Sequence, residues 1–161
     1  MKPNLKLLFS LFLLLFDCCH EKTESDKLVN NDASIPASFQ FDKKGLYVIN
    51  SSINKKKGTM STLYGNKSAV NRLRENPDSA SANEQLTFIT WKQKEDEHWF
   101  GAKIPAALQS VEMVKTIAGQ PNTMETSYEC FEGSKLIRQK DTAGNANRIQ
   151  YILAQKPSVM P

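Results

Sequence analysis

Short runs of β-branched, aromatic and aliphatic residues alternate with polar turns along most of the chain. Residues 45–50 and 59–64 are two such runs, and the polar turn between them, at residues 54–58, ends in Gly58. Runs separated by a few polar residues are typical of a β-hairpin. Further strands are predicted at residues 86–92, 98–103, 109–117, 127–131 and 135–139. Because short turns join successive strands, the pattern predicts an antiparallel β-sheet of about five to six strands.

Two segments carry apolar residues at helical spacing instead. Asn66 can cap a helix that ends at residues 76–78, and Asp141 or Thr142 can cap a second helix near the C-terminus. The apolar faces consist of Ala69, Val70 and Leu73 in the first helix, and of Ile149, Ile152 and Leu153 in the second. The predicted fold class is therefore α+β, with two short helices packed on one face of the sheet.

The start of the chain has a third pattern, in which Lys2 and Lys6 precede an apolar run at residues 7–16. A helix of that length rises only about 1.5 Å per residue and is too short to cross a hydrocarbon core of about 30 Å. Residues 1–19 are therefore predicted to be a signal peptide. Residues 20–37 are rich in charged and small polar side chains and are predicted to be a flexible linker. Residues 38–161 remain as one domain.

A cysteine directly after such an apolar run can accept a lipid through its thiol, and this region resembles a bacterial lipoprotein signal. Cys19 is preceded by the small residue Cys18, whereas Cys18 is preceded by Asp17. Cys19 is therefore the predicted acylation site, with Cys18 as the alternative. An ordinary secretory peptide that contains cysteines is the second interpretation. In either case the protein is exported. A lipid on the cysteine would hold it on the periplasmic or outer-surface side of a bacterial membrane.

Composition narrows the function classes only a little. The 161 residues are 40% hydrophobic and 24% charged, with a formal net charge of +4, which is ordinary for a globular domain. The run of lysines at residues 55–57 contains no interleaved aromatic residue, so a nucleic-acid partner is not predicted. No phosphate-binding loop, Ser-His-Asp order or zinc-binding spacing is present.

Several residues could form a site. His98 is the only histidine after residue 20, so it is the one imidazole of the domain that could bind a metal or act as a base. Trp91, Trp99 and Phe88 are candidates for the lining of a pocket, although alternating aromatic residues in strands more often form a core. Cys130 has no disulfide partner within the chain if Cys19 is acylated, and it is predicted to be a small buried hydrophobic residue in a strand.

The order of several motifs after residue 59 resembles the cytochrome P460 family. The matching segments are Thr-Met-Ser-Thr-Leu-Tyr-Gly-Asn at residues 59–66, the Ala-containing helix at 68–73, the apolar strand ending in Trp and Lys at 86–92, the Trp-containing block at 90–101, the Ile-Pro step at 104–105, the strand at 111–114 and the ending at 151–161. The resemblance implies an α+β fold, in agreement with the pattern above. It also implies haem and an activity on small nitrogen compounds such as hydroxylamine or nitric oxide.

The chain departs from that family where the haem is attached. The family holds its haem through Cys-x-x-Cys-His, but the cysteines here are Cys18, Cys19 and Cys130, and none has that spacing. The family's second anchor, a cross-linking lysine, would fall at Phe88, which cannot make the bond. No cofactor is therefore predicted, and the chain is expected to be a non-catalytic binding or structural module with a small-molecule ligand or an envelope protein as partner. The alternative is a P460-like oxidoreductase that binds haem non-covalently through His98.

Overall fold

Six β-strands pair in chain order to form one antiparallel sheet within the part of the chain that the structure describes. The structure is a computed structural model that describes residues 29–75, 81–119, 123–140 and 144–158. The elements are β1 (Tyr47–Asn54), β2 (Thr59–Gly65), α1 (Lys67–Glu75), β3 (Gln85–Glu95), β4 (Lys103–Ala118), β5 (Met124–Glu132), β6 (Ile137–Arg138) and α2 (Asn145–Leu153). The predicted α+β class is confirmed.

Both helices pack on the same face of the sheet, as predicted. The core of this face contains Ile49, Leu63, Leu86 and Val114 from the strands, Ala69 and Leu73 from α1, and Ile152 from α2. The Asn66 side chain accepts a hydrogen bond from the Ala69 N–H at 3.0 Å, which confirms the predicted helix cap. Gly65 brings β2 close to this core, because a Cβ atom there would lie 2.6 Å from the Ile49 side chain. The predicted caps Asp141 and Thr142, and the predicted helix end at residues 76–78, lie outside the described residues.

The opposite face of the sheet is covered by the N-terminal segment, residues 29–44, which forms three short 3-10 turns (Asn31–Ala33, Ala37–Phe39 and Phe41–Lys44). Ile35, Phe39 and Phe41 pack against a second core formed by Ile89, Trp91, Leu108 and Val111. The indole N–H of Trp91 donates to the Ala33 carbonyl at 2.8 Å. The packed domain therefore begins before Pro36, within the segment that its polar composition predicted to be linker. The reason is that a few apolar side chains contact the sheet while their polar neighbours face water.

The predicted strand at residues 98–103 is wrong. Residues 96–102 form the turn between β3 and β4, and β4 is one long strand rather than two. The Asp96 carboxylate accepts from the backbone N–H groups of His98 and Trp99 at 2.8 and 3.3 Å, and Gly101 has a φ of 77°. This Asp and Gly turn chemistry prevails over the β-propensity of the aromatic residues between them.

A buried ion pair fastens α1 to the start of β3. The Arg72 Nε atom donates to both carboxylate oxygens of Glu84 at 2.9 and 3.0 Å, and both side chains are almost fully buried. Glu84 also accepts from the Ser81 N–H at 3.1 Å. Removing either partner would leave an uncompensated charge in the interior, which typically costs about 3 to 5 kcal/mol.

The C-terminal tail after α2 lies along the edge strand β1. The Asn50 side-chain amide donates to the Lys156 carbonyl at 2.7 Å, and the Ser158 N–H donates to the Ile49 carbonyl at 3.1 Å. A register shift between Val48 and Asn50 interrupts the pairing of β1 with β2 at the same position. The tail therefore occupies hydrogen-bonding groups that the strand ladder leaves available.

Trp91→Ala is expected to destabilise the domain by about 3 to 5 kcal/mol, because the substitution removes a buried aromatic side chain and leaves a cavity. It also removes the donor to Ala33, which holds the N-terminal segment on the sheet. The measurement is the free energy of unfolding from denaturant titration. Trp99→Ala is the matched control and should leave stability unchanged, since Trp99 is 72% exposed. Equal stability of the two variants would contradict the packing described here.

Candidate functional site

The face of the sheet that carries the helices divides into an apolar half and a polar half. The apolar half lies beneath α1 and α2. In the polar half, cross-strand pairing places Ser52, Ser61, Thr90, Ser110 and Glu132 in one row across five strands. We call the four residues with hydroxyl groups, Ser52, Ser61, Thr90 and Ser110, the hydroxyl row. The Ser61 and Thr90 hydroxyl oxygens are 3.2 Å apart and hydrogen-bonded. Small polar side chains here leave space above the sheet that larger side chains would fill.

The hydroxyl row forms one wall of an open cleft with a volume of about 380 Å³. Phe88, Tyr128, Arg148 and Tyr151 line its other parts, together with the start of α2 at Gly144 and Asn145. Clefts of roughly 300 to 1,000 Å³ that combine aromatic surface with a few polar groups are common small-molecule sites. A larger cavity of about 520 Å³ lies between β1, α1 and the C-terminal tail, but Arg74 is its only charged lining residue among the described residues.

A charged cluster stands at the border between the two halves. Arg148 of α2 donates through Nε and Nη2 to the two carboxylate oxygens of the buried Glu112, both at 2.6 Å. The Tyr128 hydroxyl donates to Glu112 Oε1 at 2.5 Å. This bidentate arrangement fixes the guanidinium plane as well as its charge. The Arg148 side chain remains 36% exposed, so the ion pair is accessible from the cleft on the arginine side.

Aromatic rings hold the same guanidinium from the sides. The Arg148 guanidinium carbon lies 5.1 Å from the centre of the Phe88 ring and 4.8 Å from that of Tyr151. The two rings meet edge to face with their centres 5.8 Å apart. Cation–π contacts of this kind add to the ion pair and limit the rotation of the side chain. Arg148 is therefore held rigidly at the edge of the cleft before any ligand binds.

The cluster fixes the protonation states of its members. The hydrogen bond to Glu112 raises the pKa of Arg148, so the guanidinium stays charged. Burial and the hydrogen bond to Glu112 raise the pKa of Tyr128 far above its ordinary value. Burial and the Glu112 carboxylate also raise the pKa of the Cys130 thiol. At neutral pH Tyr128 is thus a neutral phenol whose proton is donated to Glu112, Cys130 is a neutral thiol, and Arg148 is a charged guanidinium with further N–H donors.

The structure does not bring the four predicted site residues together. Phe88 lines the cleft, but Trp91 belongs to the core on the opposite face of the sheet. His98 and Trp99 are exposed in the turn between β3 and β4. The reason is the alternation of side chains along a strand, which sends positions 88 and 91 to opposite sides. Within the described residues, no group of three or more His, Cys, Asp or Glu side chains could hold a metal ion.

The cleft residues do not fit haem. Haem iron needs an axial ligand such as His, Cys thiolate or Tyr phenolate. His98 lies in an exposed turn and does not line the cleft. Cys130 and Tyr128 do line it, but the raised pKa of each group disfavours the anionic form that would bind iron. The described residues of the cleft are therefore suited to hydrogen bonding with an organic ligand rather than to iron ligation.

Sequence reasoning did not identify Glu112, Arg148 or Tyr128, although two signals were present. Glu112 interrupts an apolar run at residues 111–114, in a strand that is buried along that stretch. Arg148 lies four residues before Ile152, on the core-facing side of its helix. A carboxylate and a guanidinium at two core-facing positions indicate a buried pair.

No protein-family model matches this chain, and no curated protein matches it either. The cytochrome P460 family therefore remains a prediction from the motifs.

Proposed function

We propose that this protein is an exported, lipid-anchored module of the cell envelope that binds a small polar molecule in the cleft. The observation that carries the proposal is the Glu112–Arg148–Tyr128 cluster at the edge of an open cavity beside the hydroxyl row. If the cluster served stability alone, an apolar continuation of the core would serve as well, because buried ion pairs contribute little net stability. A rigid, partly exposed guanidinium beside a row of hydroxyl side chains is instead suited to recognition.

The chemistry of the cleft defines the class of ligand. The hydroxyl groups of Ser61, Thr90 and Ser110 can each donate and accept hydrogen bonds. Phe88 and Tyr151 supply ring surface in the same cavity. Opposite charges balance within the cluster, so the cleft favours a neutral or zwitterionic molecule with several hydrogen-bonding groups over a strongly charged one. Sugars and amino acids are suitable first probes.

The first test uses thermal unfolding in the presence of sugars and amino acids at millimolar concentration. A ligand that binds only the folded state raises the melting temperature. For any probe that raises the melting temperature, Thr90→Val should weaken binding by roughly twofold to tenfold. The reason is that it removes one hydrogen bond worth about 0.5 to 1.5 kcal/mol. Thr62→Val is the matched control, because Thr62 pairs with Ser51 in an exposed hydroxyl pair that does not line the cleft. Equal weakening by both variants would contradict the proposed site.

The second test concerns haem. The mature protein is expected to carry no covalent haem, since the chain lacks Cys-x-x-Cys-His and has Phe88 at the expected position of the cross-linking lysine. The protein is expressed with a cytochrome maturation system and a haem precursor, and the denatured band is stained for haem peroxidase activity. A stained band would contradict this expectation and support a P460-like oxidoreductase. A Soret band in the native protein without staining, lost in His98→Ala, would favour the non-covalent alternative.

The third test concerns the anchor. Cells that express the full chain are grown with a radioactive fatty acid, and the protein is expected to become labelled at Cys19. Cys19→Ser should abolish the label, whereas Cys18→Ser and the control Cys130→Ser should retain it. Labelling that is lost only in Cys18→Ser would identify Cys18 as the acylation site. An unlabelled wild-type protein would contradict lipid anchoring.

A further inference from the structure

The turn between β3 and β4 presents two adjacent aromatic rings to water. Trp99 is 72% exposed and Phe100 is fully exposed. The turn is nevertheless well defined, because the Asp96 N–H donates to the Ala102 carbonyl and the Ala102 N–H donates to the Trp99 carbonyl, both at 3.0 Å. Adjacent large apolar side chains held in solvent by an ordered turn typically mark an interaction site.

Lysine residues flank this aromatic turn. The polar turn between β1 and β2 lies beside it, because the Gln93 N–H donates to the Gly58 carbonyl at 2.9 Å and Thr59 pairs with Lys92. The two turns with their adjoining residues, 54–58 and 94–103, contain five lysines and three acidic residues. Lys55, Lys56 and Lys57 are all exposed. This end of the sheet thus combines apolar rings with a positive charge.

The N-terminal segment begins at the same end of the sheet. The Asn30 side-chain amide donates to the Pro105 carbonyl at 2.7 Å, and Lys94 and Asp32 form an ion pair at 3.4 Å. Pro105 is two residues from Lys103, where β4 begins, which corresponds to about 7 Å along a strand. The chain between Cys19 and Asn30 can span at most about 40 Å when fully extended. A lipid on Cys19 would therefore hold this end of the domain near the membrane.

We propose that Trp99 and Phe100 insert into the surface of the bilayer that holds the lipid anchor, while Lys55, Lys56 and Lys57 contact phospholipid headgroups. The inference rests on the lipid anchor of the proposed function and adds a second membrane contact to it. Trp prefers the interface between headgroups and acyl chains, where its ring is apolar and its N–H stays hydrated. Basic residues near the bilayer surface are attracted to anionic phospholipid headgroups, and an apolar contact of the turn adds to the attachment that the lipid provides. The contact also fixes the orientation of the domain.

The test places the purified full-length mature protein in vesicles of phosphatidylcholine with brominated acyl chains, which quench tryptophan at the bilayer surface. Flotation of the protein with the vesicles reports lipid anchoring. The fluorescence of Trp99 reports contact between the turn and the bilayer. Trp99 emission is expected to shift to the blue and to be quenched. Both changes should disappear in Trp99→Phe, whose remaining Trp91 is buried in the domain. Protein that floats without quenching of Trp99 overturns the proposal. A blue shift without quenching also overturns it, because the rings are then covered by protein rather than lipid.

Further variants separate the turn from general surface effects. Phe100→Ser should reduce the quenching of Trp99. Tyr47→Ser should leave it unchanged, because Tyr47 is 57% exposed but pairs with Gly65 at the opposite end of the sheet. Adding phosphatidylglycerol should increase the quenching in the wild type, and replacing the three turn lysines with Gln should abolish only that increase. Equal quenching in Phe100→Ser and wild type contradicts the proposal.

The experiments distinguish an error in the lipid anchor from an error in the membrane contact of the turn. If the protein carries no lipid and does not float, the anchor proposed above is wrong. The same soluble protein is then mixed directly with an excess of brominated vesicles. Quenching of Trp99 there supports the membrane contact of the turn, and its absence overturns it.

Discussion

The sheet of this protein has two apolar faces, and both must be covered for the domain to fold. The helices α1 and α2 cover part of one face, and residues 29–44 cover the other. Burial of apolar side chains is the main favourable term in folding, so these covering segments determine where the structure is closed and where it stays open. The cleft occurs where the helices stop, and the position of the N-terminal segment places the start of the domain beside the turn between β3 and β4.

The border between the covered and the open part is stabilised by electrostatics rather than by more apolar packing. Glu112 is buried in β4, and Arg148 of α2 compensates its charge through two short hydrogen bonds. Because the buried Glu112 would be an uncompensated charge without Arg148, the pair ties the orientation of α2 to that of the sheet. The same pair places a rigid cation, Arg148, at the edge of the cleft. Stability of the helix and polarity of the site thus depend on the same two side chains.

The sequence was sufficient to predict the elements whose signals are local. The β1–β2 hairpin, the Asn66 cap and the apolar faces of both helices follow from turn residues and periodicity, and each is present. The structure differs where distant parts of the chain meet. Residues 29–37 look like linker by composition, yet Trp91 binds the Ala33 carbonyl from 58 residues away.

The candidate site also depends on contacts between distant parts of the chain. Phe88 was identified as a pocket residue and lines the cleft, but only the three-dimensional structure shows that Arg148 meets Glu112 beside it. His98 and Trp99 were assigned to a strand because aromatic neighbours favour β-structure, whereas Asp96 and Gly101 make a turn there. Periodicity predicts which face a side chain occupies. It does not predict which residues from other elements share that face.

The C-terminal tail along β1 has a consequence for proteins that are crowded on a surface. An exposed edge strand can pair with the edge of a neighbouring molecule and so start aggregation. Here the Ser158 N–H occupies the Ile49 carbonyl, and the irregularity at Val48 and Asn50 distorts the same edge. The β1 edge is thus a poor template for another strand at this position. Where many copies of a domain are held close together in two dimensions, a tail that covers part of an edge in this way limits pairing between neighbours.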